Sequence, residues 1–258
     1  MQLSLAGRTA LITGGSKGLG LATAEAFAEA GAAVALVSRD SATLTAAEQA
    51  VRAKAPNAKV VAVSADVATA AGCQAAHDGA VGALGPIDIL VNNAGQAAGG
   101  GFLTSSDAVW QADFDLKVFA HVRLARLVIP AMRAKGWGRI INVLASGAKA
   151  PAAGSLPTTA SRAAGMSITK ALAGEFAADG ILVNALMVGI IESDQWVRRF
   201  PDDGLRATWM AEQGRRIPVG RVGRAEEFAA AALFLASEAG SYISGVAINV
   251  DGGASPVL

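Results

Sequence analysis

The chain is predicted to be a doubly wound α/β protein, with a seven-stranded parallel sheet flanked by helices on both faces. Short β-branched runs alternate along it with long Ala-rich stretches. The runs are apolar on both sides instead of alternating, the pattern of strands covered by helices on each face. The segments between them, about 20 residues or more, are long enough for crossover helices between parallel strands.

Taken in order, the strands are expected at 9–13, 33–37, 60–63, 87–91, 139–143, 181–186 and 246–250. A glycine-rich turn follows the first strand and opens an Ala-rich helix over about 21–30, and a helical region begins near Trp110. A further helix near 224–236 precedes the last strand. No internal repeat and no low-complexity linker appears, so residues 1–258 are expected to form one dinucleotide-binding unit. Segment 189–218 interrupts the alternation and carries Trp196, Phe200, Trp209, Arg198, Arg199, Arg206, Arg215 and Arg216. A connection this long usually has a task. It is either a lid over a substrate cleft at the carboxyl edge of the sheet or a surface excursion of two short helices.

Composition narrows the class. Of 258 residues 52% are hydrophobic, ample for a full core, which excludes disordered and fibrous proteins. A net charge of +1 offers no general field for nucleic acid or an anionic membrane, so any charged ligand must be held locally. The single cysteine, Cys73, excludes an internal disulfide and a cysteine-built metal site, and it fits a reducing compartment. No basic segment followed by an apolar one opens the chain, and its longest apolar stretches fall short of the roughly 18 residues that span a bilayer. A cytoplasmic protein is expected.

The turn after the first strand is Thr13-Gly14-Gly15-Ser16-Lys17-Gly18-Leu19-Gly20. Glycines there let the backbone approach a pyrophosphate, whose charge is stabilised by free amides at the following helix N-terminus. The T-G-x-x-x-G-x-G spacing, together with Asn92-Asn93-Ala94-Gly95 after the fourth strand, resembles the short-chain dehydrogenase/reductase family at its usual chain length. Asp66-Val67, Trp110, the strand at 139–143 and Val250-Asp251-Gly252-Gly253 extend the resemblance over nearly the whole chain. It implies a Rossmann fold and a nicotinamide dinucleotide, held by Gly14, Ser16, Lys17, Gly18, Leu19 and Gly20. By the same resemblance Asp66 and Val67 meet the adenine, Asn93, Ala94 and Gly95 line the adenosine side, and Ser193 meets the nicotinamide amide.

Which nicotinamide cofactor binds turns on the end of the second strand, Val37-Ser38-Arg39-Asp40. An acid there accepts hydrogen bonds from an unphosphorylated ribose, whereas an arginine pairs with a 2′-phosphate. By resemblance Ser38 stands where NAD-preferring relatives place their acid, and Arg39 with Lys17 points to NADP(H). The competing arrangement has Asp40 bending back to the ribose and Arg39 on the surface.

The resemblance fails at the catalytic positions. Relatives carry a serine after the fifth strand and a Tyr-x-x-x-Lys pair on the next helix, where residues i and i+4 share a face. Matching the chain through its flanking motifs puts Ala145 at the serine, Thr158 at the tyrosine and Arg162 at the lysine. The asparagine of the preceding helix becomes Lys117, and the chain's one tyrosine, Tyr242, lies far from the motif. A tyrosine has a pKa of about 10 that a cation can draw down, whereas a threonine hydroxyl is a far weaker acid. Arg162 can bind ribose hydroxyls, yet a pKa above about 12 bars it from easy proton relay. Ser146, Lys149, Ser155, Lys117, Glu192 and Asp194 are candidates for the lost groups, each with a bland alternative as a turn cap or a surface charge. His77 and His121 are expected to be structural or solvent-facing.

The function expected is an NADP(H)-dependent oxidoreductase with an altered proton route. It would act on a carbonyl or alcohol, an activated enone or an acyl thioester, with Thr158, Arg162 and Ser146 as catalytic candidates. The alternative is an NADP(H)-binding sensor or partner subunit without turnover. The lid tryptophans and arginines point to an apolar contact and an acidic group in the substrate. Small residues Ala160, Ala164, Ser167, Ala171, Gly174 and Ala178 along one helix, with Trp110, Phe114, Val118 and Val122 along another, suggest a homodimer or homotetramer.

Overall fold

The computed structural model describes residues 3–258, apart from the side chain of Arg198. In chain order the strands are β1 (Thr9–Thr13), β2 (Ala33–Ser38), β3 (Val60–Ser64), β4 (Ile89–Asn92), β5 (Gly99–Gly100), β6 (Gly138–Ala145), β7 (Leu156–Pro157), β8 (Ile181–Val188) and β9 (Ala247–Val250). Seven of them form one sheet in the order β3-β2-β1-β4-β6-β8-β9, every pair parallel. The short β5 and β7 pair antiparallel outside it.

The helices are α1 (Gly18–Glu29), α2 (Ser41–Lys54), α3 (Ala70–Leu84), α4 (Asp107–Phe114), α5 (Ala120–Lys135), α6 (Thr158–Phe176), α7 (Asp194–Arg199), α8 (Asp203–Arg216) and α9 (Ala225–Ala236). A π-helical turn, Asp115–Phe119, joins α4 to α5. Successive strand side chains point to opposite faces. Ala10, Ile12, Ile89, Val91, Ile141 and Val143 therefore enter the core under α1, α2 and α9. Leu11, Leu90, Ile140 and Val183 enter the core under α3, α5 and α6. Each fully buried aliphatic side chain contributes about 1.5–3 kcal/mol, which explains strands that are apolar on both faces. Cys73 lies in the second core with its thiol donating to the Val67 carbonyl, and burial pushes its pKa up to about 11, an inert structural cysteine.

The ladder differs from the expected strands at their ends. β4 starts at Ile89, two residues later than expected, while the Asp88 carboxylate just before it accepts the Thr9 amide at 3.0 Å. β6 and β8 run on to Ala145 and Val188, because the two pair with each other over eight residues. Among the described residues no helix is long and apolar enough to cross a membrane.

Candidate active site

The strand order reverses between β1 and β4, and in open α/β sheets ligands bind in the crevice at the carboxyl ends of such neighbours. Thr13 ends β1 there, its hydroxyl accepting the amides of Asn93 and Ala94, each at 2.9 Å. The Asn93 side chain in turn donates to the carbonyls of Thr13 and Gly14 at 2.9 and 3.2 Å. These bonds weld the glycine-rich turn to the end of β4. Side chains are excluded at two of its glycines: a Cβ on Gly20 would overlap the Gly14 carbonyl, and one on Gly14 would lie 2.9 Å from the Asn93 amide nitrogen. The Lys17 side chain does not cap α1, so the first amides of that helix have no side-chain acceptor. Backbone cradle and free helix amides together fit a dinucleotide pyrophosphate.

At the end of β2, Arg39 is largely exposed and 3.9 Å from the Asp66 carboxylate. Asp40 is the N-cap of α2, its carboxylate accepting the amides of Ala42 and Thr43 at 2.9 and 3.2 Å. That role leaves the Asp40 carboxylate occupied, with Arg39 the exposed cation at the end of β2. Lys17 lies 3.5 Å from Asp194 at the start of α7, and Ser193 sits against the backbone of Gly18. The first turn of segment 189–218 thus rests on the glycine-rich turn.

The second half of the site is set by α6. Its middle is locked to the sheet by a buried amide ladder, Asn92 Nδ2 to Asn142 Oδ1 and Asn142 Nδ2 to Thr169 Oγ1, each 2.9 Å. Gly165 lets it approach β6, since a Cβ there would fall 2.5 Å from Leu144. So fixed, α6 presents Thr158 and, one turn on, Arg162. The Arg162 guanidinium donates to the Val143 carbonyl and stands beside Gly95, where an added Cβ would lie 2.8 Å from Nη2.

Lys117 completes the cluster. It comes from the π-helical turn, is completely buried, and donates both to Asp113 one turn earlier and to the Thr158 hydroxyl. Asp113 also accepts the Ser161 hydroxyl at 2.5 Å. Burial, aided by the positive charge of Arg162 and opposed by Asp113, brings the Lys117 pKa down to about 8. Burial likewise lowers Arg162 to about 10. His121, one turn beyond Lys117, is buried with neither ring nitrogen bonded, and burial with Arg162 holds its pKa near 3. It is a neutral core histidine.

Several sequence expectations change here. Of the candidates for the lost groups, Lys117 lies at the centre of the cluster and not on the helix surface of its bland alternative, carried there on the π-helical turn. Ser146 opens a short 3-10 turn after β6, and among the described residues its side chain has no hydrogen bond to Thr158 or Lys117. Lys149 donates to the Ala247 carbonyl and so ties its loop to β9, and Ser155 donates to the Ala152 carbonyl within its own loop. In segment 189–218 the rings of Trp196 and Trp209 lie 4.4 Å apart, with Phe200 5.1 Å from Trp209. These aromatics form the segment's own small core and are not a bare apolar wall for a substrate. Arg206 is bound to Asp203 and to the Phe200 carbonyl, whereas Arg215 and Arg216 are exposed; the side chain of Arg198 lies outside the described residues.

A family model described as enoyl-(acyl carrier protein) reductase matches residues 14–255. Galactitol 2-dehydrogenase (L-tagatose-forming) of Cereibacter sphaeroides is 36% identical over 96% of this chain and 95% of its own. L-sorbose reductase of Gluconobacter frateurii, solved with NADPH and L-sorbose, superposes with a TM-score of 0.95 at 36% identity over the whole of both chains. A short-chain oxidoreductase of Pseudomonas aeruginosa PAO1, solved with NADPH and described as containing an atypical catalytic center, gives 0.93 at 39% identity over 99% of each chain. Cradle, sheet order and full-length similarity define an oxidoreductase of the nicotinamide-dependent Rossmann class. Within that class the chain belongs to the short-chain dehydrogenase/reductase family.

Proposed function

We propose that this protein is an NADP(H)-dependent oxidoreductase that interconverts a carbonyl and an alcohol on a small molecule, with Thr158 as the group facing the substrate oxygen. The observation that carries this reading is the contact of Lys117 with the Thr158 hydroxyl, since burying an ammonium costs several kcal/mol and such expense clusters at functional sites. When bound, the cofactor supplies the hydride. The glycine-rich turn of Gly14, Ser16, Gly18, Leu19 and Gly20 holds the pyrophosphate. Ser38, Arg39 and Lys17 take the phosphorylated ribose, and Asp66, Val67, Asn93, Ala94 and Gly95 the adenosine side. Arg162, beside Gly95 and at the end of β6, lies where it can meet the second ribose. Ser193 stands over the turn and closes the nicotinamide side.

Preference for NADP(H) is supported by the capping role of Asp40, which removes the acid that an unphosphorylated ribose needs, and by the NADPH found in two similar structures. Segment 189–218 is proposed to act as the lid. The relatives' names, a galactitol dehydrogenase and an L-sorbose reductase, make ketoses and polyols the first substrates to try. Acidic sugars follow, because Arg215 and Arg216 are exposed in the last turn of α8.

The test is a titration with NADPH and NADH followed by a panel of ketoses, polyols, enones and acyl thioesters. Tighter NADPH binding with turnover of a ketose or polyol is expected. Turnover only of enones or acyl thioesters would replace the carbonyl reading, and binding without any turnover would make the protein a nucleotide-binding sensor. We also propose a homodimer, built on α4, the π-helical turn and α6. Val109 and Phe119 are 43% and 42% exposed there, and Ser167, Ala171 and Gly174 present a smooth exposed strip on α6.

A further inference from the structure

We infer that Lys117 is the proton source and acceptor behind Thr158, so that the threonine passes a proton without ever ionising, with Asp113 and Ser161 positioning the ammonium. This rests on the oxidoreductase reading above. Lys117 has no exposure and cannot touch a substrate itself, yet it donates directly to Thr158 Oγ1. A hydroxyl that accepts from an ammonium has its own proton free to give outward, towards the cleft. In the reducing direction the carbonyl π pair moves onto the substrate oxygen as hydride arrives at carbon. That oxygen takes the Thr158 proton, the Thr158 O–H bond breaks, and a Lys117 N–H proton moves to Thr158 Oγ1. Lys117 is left neutral and regains its proton from solvent through the same hydroxyl once product has left. The oxidising direction reverses each transfer.

The surrounding groups suit this role. Asp113 takes a second N–H of Lys117 and is itself held by Ser161 at 2.5 Å, which fixes the ammonium under Thr158. From α6, Arg162 faces the pair with a positive charge and favours release of the proton; His121, on the lysine's own side, is neutral. Burial and Arg162 outweigh Asp113, so the Lys117 pKa of about 8 lies close to working pH, where a relay group transfers in both directions. Reduction needs the ammonium and therefore falls as pH rises through that value, whereas oxidation needs the amine and rises.

Two measurements test the inference. In cofactor-free protein carrying 13Cε-lysine, the resonance missing from the Lys117→Arg spectrum is Lys117, and it is expected to titrate near pH 8. In the pH profile of kcat/KM the limb near 8 is expected in both directions, and Lys117→Arg should remove it while lowering turnover about 100-fold. Cofactor affinity of the variant reports that the fold is kept; Lys117→Met serves if the arginine does not fit. An ordinary lysine midpoint above 10, or a Lys117→Arg profile like the parent's, overturns the relay and leaves the oxidoreductase reading standing. A midpoint near 8 in a protein that turns over nothing overturns that reading, and the relay with it.

Discussion

Thr158 and His121 lie within one cluster and respond oppositely to their surroundings. The threonine hydroxyl is a hydrogen-bond partner of a buried ammonium, so its removal should cost chemistry and not binding. Thr158→Ala is expected to lower kcat about 100-fold with the NADPH dissociation constant nearly unchanged, while Thr158→Ser keeps most of the activity. Undiminished turnover in the alanine variant would dismiss Thr158. His121, with both ring nitrogens unbonded, has a folded pKa near 3 against an ordinary 6.5. Below pH 6.5 the unfolded chain binds a proton that the folded one refuses, so stability falls as pH drops from 6.5 towards 3, by up to about 1.4 kcal/mol per pH unit. His121→Leu should flatten that part of a stability-versus-pH curve measured by urea unfolding. At Arg39 the expected effect is on cofactor choice: NADPH should bind about tenfold more tightly than NADH, ~1.4 kcal/mol, and Arg39→Ala should erase most of the difference.

Elements decide which of these side chains can act. Asp40 follows Arg39 directly, and its assignment depends on the helix it opens. As the N-cap of α2, Asp40→Ala should cost about 1 kcal/mol of stability and leave the NADPH to NADH affinity ratio as it was. A changed ratio with unchanged stability would return Asp40 to the ribose. The π-helical turn between α4 and α5 is the more consequential element. Turns of this kind are rare and recur at functional sites. Here the turn spans Asp115–Phe119, and Lys117 at its centre points into the fold, not out of it. α6 shows the complementary case, since the Asn92–Asn142–Thr169 ladder and the bare Gly165 set its register against the sheet and hence where Thr158 ends up.

For the whole molecule the question is how many copies work together. The exposed strip of α6 is nearly free of large side chains, and Trp110 and Phe114 stack at 6.1 Å on α4, half-buried in the single chain. A dimer across these helices would cover both. Light scattering at micromolar concentration is expected to give at least twice the chain mass, and Gly174→Glu, placed at an exposed position that meets nothing within 4 Å in the chain, should lower it without loss of helix content. A parent protein that scatters as a single chain removes the dimer.

The parallel sheet, its helices and the dinucleotide turn were legible in the amino-acid sequence. Two-sided apolar strands, crossover lengths and glycine spacing are local patterns, and their physical meaning does not depend on what packs nearby. That Arg39 follows the end of a strand was legible in the same way. Tertiary structure alone decided the rest: that Lys117 is buried under Thr158, that Asp40 is consumed by a helix cap, and that Trp196 and Trp209 spend their surfaces on each other. The family resemblance singled out Lys117 as a candidate, but its burial against Thr158 shows only once the π-helical turn and the neighbouring helix are in place. Burial and pairing are relations between segments distant in sequence, here residues 113, 117, 158 and 162, and no local pattern encodes the few ångströms that turn a surface charge into an acidic ammonium.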